Sequence, residues 1–322
     1  MIRSNLIGIC YGLGNAFCLA LTGFLAKQIN GYNPLTLMVS SGLWSVVFLT
    51  LLNDEKSVWI NVGRIREKGH VMSFVASVCF MPLAAFFLFI ALNFIEYADA
   101  MTITQSSIVC SSILAFIVLR EPLKAVDIFC ISMALAGVFL ITRPLFIFEH
   151  FGVEKSSHYP VREIGAVLSA LTAFCIAVFA VGRRCVVYID SLFLSTCQGY
   201  ITLLVGCLGA LILLHLTGKP VLPHCTAQDR FVIMAAGFVH ATCFLCNIQV
   251  FKYLSVVHST TVKTSVSAFS YALQCIFSVE PFSCLSISGC CLILASVFLK
   301  SYASFTLKDF TKIFSKGNQN LV

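Results

Sequence analysis

Apolar segments fill this 322-residue sequence almost from end to end, and they constrain its fold more than any other feature. A helix needs about 20 mostly apolar residues to cross the ~30 Å hydrocarbon core of a bilayer. Only 11% of the residues are charged, whereas about 25% are charged in soluble domains. Water is therefore not the main solvent of this chain, and we predict an all-α polytopic membrane protein.

Ten such segments can be separated where charged residues, Pro or Gly interrupt the apolar runs. The predicted transmembrane helices cover residues 6–26, 34–52, 71–95, 100–119, 126–141, 164–181, 192–216, 231–251, 256–279 and 285–302. The first segment follows Arg3 and is long enough to span the bilayer. We therefore expect it to remain in the protein rather than to be removed as a signal peptide.

The charge of the connecting loops predicts the orientation. With both termini in the cytosol, the cytosolic loops and tails carry fourteen Lys and Arg residues, and the opposite loops carry six. The positive-inside rule favours this orientation, which requires an even number of spans. We expect an integral multi-pass protein with both termini cytosolic; the pattern does not distinguish the plasma membrane from the ER or Golgi membranes. Lys263 alone belongs to neither set of loops.

Two parts of the chain resemble each other. Residues 92–140 align without gaps to residues 251–299 at a constant offset of 159 residues. The alignment places Glu121-Pro122 on Glu280-Pro281. Chance similarity between apolar helices is the alternative, but the register of the two Glu-Pro pairs is difficult to obtain from composition alone. We therefore interpret the chain as a duplicated unit.

A duplication of five spans has a geometric consequence. Because five is odd, the second copy must enter the membrane with the opposite polarity. Such inverted repeats are the recurrent architecture of secondary transporters, with the solute site near the midplane between the two halves. The predicted repeats are residues 1–145 and 164–303, joined by a polar loop at 146–163 and followed by a cytosolic tail at 304–322.

The first repeat also carries family motifs. ALNFIEYADAMTI, an apolar span, LREPLKAVDI and ALAGVFLITRP follow one another within residues 91–144. This order resembles the end of the EamA-type unit of the drug/metabolite transporter superfamily, and the chain is similar to the G-type members of solute carrier family 35. The resemblance implies ten helices as two inverted five-helix EamA-type repeats. It also implies transport of organic solutes through a central cavity lined mainly by helices 1, 3, 4, 6, 8 and 9.

Two departures from the family pattern concern the cargo. Members often carry an Arg on the second helix, where this chain offers Ser40 and Ser41. The FYNNY-like and GALNK-like motifs of the nucleotide-sugar branch are not found in the sequence. A nucleotide sugar is therefore not the expected cargo.

Lys263 is the polar residue that most needs an explanation. A charge at the bilayer centre costs about 2.5 to 3.5 kcal/mol on insertion scales, so it usually faces a cavity. By their spacing of i, i+4, i+7, i+8 and i+11, four polar residues share one face of the predicted helix with Lys263: Ser267, Ser270, Tyr271 and Gln274. We interpret this face as lining the solute cavity. The alternatives are a lysine that snorkels to the interface and a structural pair with a group that the sequence does not locate.

Other polar residues inside the predicted spans can serve either the solute or the packing of helices. His240 can titrate near neutral pH, although a lone His in a bundle is more often a packing residue. Asn15, Gln105, Gln198 and Asn247 can donate hydrogen bonds to a solute or join neighbouring helices. We include His240, Asn15 and Gln105 among the candidate solute-binding residues.

The two Glu-Pro pairs are predicted to be structural. Glu121 with Pro122, and Glu280 with Pro281, follow predicted helices 4 and 9. A carboxylate there can bond the backbone groups that are left free at the turn, because proline has no N–H.

The sequence holds no HExxH, GxSxG or GxxxxGK motif and no nucleic-acid-binding signature. Most of its sixteen cysteines fall inside apolar spans, where cysteine behaves as a small hydrophobe. The CxxC pair of Cys243 and Cys246 lacks the second pair that a metal site would need. We predict that the chain is not an enzyme and has no metal or cofactor. The expected partners are the lipid bilayer and a small organic solute but no nucleic acid, and a homodimer is the candidate assembly.

The predicted function is secondary-active transport of a small organic solute, anionic or zwitterionic, by alternating access. Because no intramembrane carboxylate is evident beside Lys263, a ligand anion can complete the pair. The alternative is a non-transporting membrane regulator or scaffold with the same fold. Its basic tail at 304–322 would then bind a partner or the membrane surface.

Overall fold

The computed structural model describes residues 2–27, 34–52, 55–67, 70–91, 94, 100, 103–142, 162–217, 226–277 and 284–319. Every regular element formed by these residues is helical. In chain order the helices are α1 (Ile2–Lys27), α2 (Pro34–Leu52), α3 (Glu55–Glu67), α4 (Val71–Ala91), α5 (Ser107–Leu119), α6 (Ala125–Thr142), α7 (Arg162–Cys185), α8 (Ser191–Thr217), α9 (Ala227–Tyr253), α10 (Val256–Lys263), α11 (Ser265–Phe277) and α12 (Cys284–Gln319).

Most of these helices suit a bilayer. Seven stretches of the described residues are long and apolar enough to cross a membrane: Asn5–Leu25, Leu35–Leu52, Val71–Leu88, Glu163–Cys185, Ser191–His215, Ala227–Tyr253 and Cys284–Ala303. Two shorter apolar helices cover Ile103–Leu119 and Ala125–Ile141, and α10 with α11 occupies the ninth predicted span. The prediction of an all-α polytopic membrane protein is confirmed. The count of ten spans and the inverted repeat stay predictions.

Between α2 and α4, where the sequence predicts only a polar loop, the chain forms α3. Its last turn carries Arg64 and Arg66, which complement the negative end of the helix dipole. Asn61 is buried, and its side-chain oxygen accepts a hydrogen bond from the Asp190 N–H at 3.2 Å. Trp59 is 77% exposed. One face of α3 therefore rests on the bundle while Trp59 points away from it.

A turn interrupts the helix inside two of the predicted spans, the fourth and the ninth. In the fourth span, residues 103–105 are helical, Ser106 forms a turn and α5 begins at Ser107. In the ninth span, α10 ends at Lys263, Thr264 forms a turn and α11 begins at Ser265. Hydropathy alone cannot reveal these breaks, because both sides of each remain apolar enough to stay in the membrane.

Hydroxyl groups provide a physical reason for both breaks. Ser106 donates its hydroxyl to the Ile103 carbonyl at 2.6 Å, and Thr264 donates to the Thr261 carbonyl at 2.7 Å. Such bonds compete with the regular helical ladder and bend helices. The Thr264 N–H also reaches the Thr261 carbonyl at 3.2 Å, which tightens the end of α10. A serine and a threonine thus lie at the two turns, each bonded to the carbonyl three residues earlier.

The helices pack in a regular set of pairs. The main pairs are α1 with α9, α4 with α7, α2 with α8, and α6 with α12. Further contacts join α2 to α9, α4 to α8, α5 to α7, and α1 to both α10 and α11. Helices α6 and α12 meet at glycines, since a Cβ on Gly137 would lie 2.7 Å from the Gly289 carbonyl oxygen. Small residues thus permit the closest crossing.

The outside of the bundle is apolar as well. Along one side of α8, four aliphatic side chains are each more than half exposed: Leu204, Leu208, Leu211 and Ile212. Helices that are apolar on all faces belong in a core or in a membrane. This surface fits lipid chains. The polar groups inside the bundle need a separate explanation.

Candidate functional site

Lys263 lies at the break between α10 and α11. It is the last residue of α10, where the negative end of the helix dipole favours a cation. Helix α10 begins at Val256, so Lys263 is seven residues, or about 10 Å, along the helix axis. The charge therefore lies inside the bundle and not at the start of its helix.

Three side chains surround the Lys263 ammonium group. The Nζ atom donates a hydrogen bond to Oδ1 of Asn247 on α9. It also lies 4.0 Å from the ring centroid of Phe251 and 5.8 Å from that of Phe179. All three partners are buried, with exposed fractions of 4% or less. Among the residues that the structure describes, no carboxylate lies within ion-pair distance of Lys263.

The α9 partners form a stripe that is fixed to α1. Cys243, Asn247 and Phe251 follow one another at intervals of four residues and share one face of α9. Asn15 of α1 donates Nδ2 to the Cys243 carbonyl at 3.1 Å and to the Cys243 sulfur at 2.9 Å. The structure thus connects two residues that the sequence identified separately, Asn15 and Lys263, through Cys243 and Asn247.

The polar face predicted beyond Lys263 is interrupted by the turn at Thr264. Ser267, Ser270 and Tyr271 are half-buried on α11, and the side chain of Gln274 lies outside the described residues. The spacing that placed them on one face with Lys263 assumed a continuous helix. The turn at Thr264 separates Lys263 from this group, and their shared role in solute binding stays a prediction.

No hydrogen bond joins Lys263 to His240, Gln105 or Gln198 in the described part of the chain. The His240 ring lies 4.9 Å from the Phe244 ring, and its buried Nδ1 has no hydrogen-bond partner among the described residues. Gln105 is half-buried just before the turn at Ser106. Gln198 of α8 is fully buried, and within the described part of the chain neither of its amide atoms has a partner. Gln198 and His240 therefore keep hydrogen-bonding capacity inside the bundle.

Four helix ends meet around Glu121 and Arg184, in what we term the helix-end cluster. Arg184 lies in the last turn of α7 and donates Nη1 to the Phe251 carbonyl near the end of α9, at 2.7 Å. Its Nε lies 3.5 Å from Oε1 of Glu121, which follows α5. The other oxygen of Glu121 accepts the N–H of Val256, the first residue of α10, at 3.3 Å.

Glu121 thus bonds the backbone of a distant helix. The sequence predicted bonds to backbone groups freed at a turn, and the one carboxylate–backbone bond seen for Glu121 reaches α10 rather than its own turn. Pro122 follows in the irregular connection to α6. Glu280 and Pro281, the corresponding pair of the second repeat, lie outside the described residues.

A second buried charge was not predicted from the sequence. Lys300 of α12, counted there among the cytosolic loop charges, is bonded to Asp127 of α6. Their side chains are 10% and 7% exposed. Asp127 also accepts the Lys124 N–H at 3.1 Å, at the start of α6. The sequence feature that could have indicated this pair is the Asp127 carboxylate, because Asp127 is the second residue of an otherwise apolar predicted span.

Comparison with known proteins identifies related chains. Residues 6–143 match the EamA-like transporter family. Solute carrier family 35 member G1 of Mus musculus is 26% identical over 232 residues, covering 71% of this chain and 60% of that protein. The Homo sapiens protein of the same name is 26% identical over 234 residues, covering 72% and 62%. The aligned regions span about three-fifths of these two curated relatives.

Two further matches extend over nearly the whole chain. An uncharacterized transporter of Clostridium kluyveri is 20% identical over 296 residues, which is 91% of each protein. A crystal structure of a protein that is 16% identical has a TM-score of 0.69 and covers 95% of this chain and 98% of its own. This structural likeness shows that the fold, from end to end, occurs in another protein.

Proposed function

We propose that this chain, an EamA-type membrane protein similar to solute carrier family 35 member G1, is a secondary-active transporter of a small organic anion or zwitterion. The observation that carries the proposal is Lys263, a cation held at a helix break by neutral partners. Discontinuous helices near the membrane midplane form the solute sites of many secondary transporters. Alternating access would expose this site to each side of the membrane in turn.

The pairing of helices supports the inverted repeat that such a mechanism uses. If residues 1–145 and 164–303 are two copies, α1, α2, α4, α5 and α6 correspond to α7, α8, α9, α10 with α11, and α12. Exchanging the copies turns the α1–α9 contact into α7–α4, and the α2–α9 contact into α8–α4. All four of these helix contacts are observed. The exchange leaves the α2–α8 and α6–α12 contacts unchanged, and both are observed as well.

The two helix breaks follow the same correspondence. With the offset of 159 residues, Ser265 corresponds to Ser106, and the breaks occur at Thr264 and Ser106, one position apart. Two copies of one unit account for the shared position. The lysine is present in one copy only, since Lys263 corresponds to Thr104.

The charge around Lys263 supports an anionic or zwitterionic solute. A buried cation is costly unless an opposite charge or hydrogen bonds stabilise it. Asn247 and the two aromatic rings stabilise the ammonium group without neutralising it. A carboxylate or phosphate group of the solute would supply the missing negative charge.

The test is uptake into liposomes that contain the purified protein. A thermal-shift screen with succinate, glutarate, inorganic phosphate and glycine first selects the solute, since a ligand at 100 times its Kd adds about 2.7 kcal/mol of stability. We expect saturable uptake that is lost in Lys263→Ala and retained in Lys263→Arg.

Uptake that is unchanged in both variants would remove Lys263 from the site. If no gradient drives any solute, while deletion of residues 304–322 abolishes a cellular phenotype, the scaffold alternative is correct instead.

A further inference from the structure

We propose that Asn247 determines the charge of the solute: its neutral amide holds Lys263 in place, keeps the site positive and yields to an anionic group of the solute. This inference rests on the proposed function and adds to it a specificity-determining residue. The residue lies on α9, six positions before the end of that helix and next to the break that ends α10.

The chain contains an internal contrast for this role. Among the residues that the structure describes, the ammonium groups of two lysines donate hydrogen bonds to side chains, and the two acceptors differ in charge. Lys300 is bonded to the carboxylate of Asp127, so that pair is neutral as a whole. Lys263 is bonded to the amide of Asn247, which has no charge of its own to neutralise the ammonium group. Asparagine and aspartate have nearly the same shape, which makes the charge the main difference between the two arrangements.

The geometry leaves the ammonium group able to bind more. An ammonium group has three N–H donors, and one of them is used by Asn247. The rings of Phe251 and Phe179 attract the cation through their faces and accept no strong hydrogen bond. The described residues take no other hydrogen bond from Nζ, which leaves two donors for the oxygens of a carboxylate or phosphate group. Such oxygens bind an ammonium more strongly than an amide oxygen does.

A contact between α9 and α1 holds the position of Asn247. Its neighbour one turn earlier, Cys243, is bonded to Asn15 of α1 through both its carbonyl oxygen and its sulfur. Asn15 and Cys243 are each 4% exposed. This contact anchors the stripe of Cys243, Asn247 and Phe251 against α1, so the amide oxygen occupies a defined place beside the ammonium group.

The inference predicts that the charge of residue 247 selects the charge of the solute. Asn247→Asp would give Lys263 an internal counter-ion, as Asp127 does for Lys300, and the site would become neutral. An anion would then meet the introduced carboxylate, whereas a zwitterion could place its ammonium group against that carboxylate and its own carboxylate on Lys263. Asn247→Ser is the control, since it shortens the side chain but remains neutral.

The experiment uses three probes of equal chain length: glutarate, 5-aminovalerate and 1,5-diaminopentane, with inorganic phosphate as a fourth. Thermal shifts of the full-length protein in nanodiscs are titrated for the wild type, Asn247→Asp, Asn247→Ser and Lys263→Ala. We expect the wild type and Asn247→Ser to prefer an anion, glutarate or phosphate, over 5-aminovalerate. In Asn247→Asp this preference should fall by about tenfold or more.

The outcomes separate this inference from the proposed function. If Lys263→Ala loses anion binding but Asn247→Asp keeps the wild-type preference, the role of Asn247 is wrong and the role of Lys263 stands. If Lys263→Ala keeps anion binding, both are wrong. Unchanged thermal unfolding of the ligand-free Asn247→Asp protein shows that a lost preference is not a loss of folding. If that variant is unstable, loss of the anion preference in the neutral Asn247→Ser variant would contradict the inference instead.

Discussion

At the scale of single residues, the Lys300–Asp127 pair should contribute to stability rather than to the choice of solute. Removing one partner of a buried ion pair leaves an uncompensated charge, which typically costs about 3 to 5 kcal/mol. We expect Lys300→Met to lower the free energy of unfolding by about this amount, because Asp127 is only 5% exposed. Thermal or denaturant unfolding of the protein in detergent measures the change.

The double variant Asp127→Asn/Lys300→Met is the matched control. It removes both charges, so it should recover most of the stability that Lys300→Met loses. A double variant as unstable as the single one would mean that packing at this position, and not the unpaired charge, causes the loss.

The residues of the candidate site differ in how far the sequence could predict them. Lys263 is evident from its charge in an apolar run, and Asn15 and Asn247 from their amides. Their connection is not, because it depends on how closely α1 packs on α9 and on where α10 stops. Phe179 is one of 29 phenylalanines, and only tertiary packing brings its ring to the ammonium group.

At the scale of helices, hydropathy predicts existence and length well, because the thickness of a bilayer sets both. It misses elements that do not cross the bilayer. The segment of α3 carries too many charges for a span, so hydropathy predicts a loop there, although its charges at either end suit a helix. The breaks at Ser106 and Thr264 were missed for another reason, since they arise from hydroxyl–carbonyl bonds that do not change the mean hydropathy.

The exposed side of α3 should lie in the membrane interface. Trp59 and its neighbour Ile60 are 77% and 53% exposed, and Arg64 and Arg66 follow on the same short helix. Tryptophan is enriched where headgroups meet acyl chains, and amphipathic helices bury apolar side chains there. The chain has two tryptophans, so Trp44→Phe leaves Trp59 as the only reporter.

In liposomes, the fluorescence of Trp59 in the Trp44→Phe protein should be quenched more by lipids brominated near the headgroup than by lipids brominated near the chain end. Quenching by aqueous acrylamide as strong as for a free tryptophan derivative, with no effect of brominated lipid, would place α3 in water instead.

At the scale of the whole molecule, the inverted repeat and the even number of spans lead to one topological prediction. Two five-span units of opposite polarity put both termini on the same side, and the positive-inside rule makes that side the cytosol. Epitope tags at the two termini should therefore become accessible together, after the plasma membrane alone is permeabilised. A tag placed within 146–163 should report the opposite side.

Termini on opposite sides of the membrane would mean an odd number of spans, and the two units could not then be inverted copies. The symmetry of the helix contacts would then need another origin.

Phe251 takes part in two contacts described above. Its ring lies against the Lys263 ammonium group, and its carbonyl oxygen accepts the Arg184 hydrogen bond in the helix-end cluster. Linkage between binding equilibria is reciprocal: the factor by which a bound solute strengthens or weakens the Arg184 contact is the factor by which forming that contact raises or lowers the affinity for the solute. Because one residue is shared, the two sites can influence each other directly, without a relay of intermediate side chains.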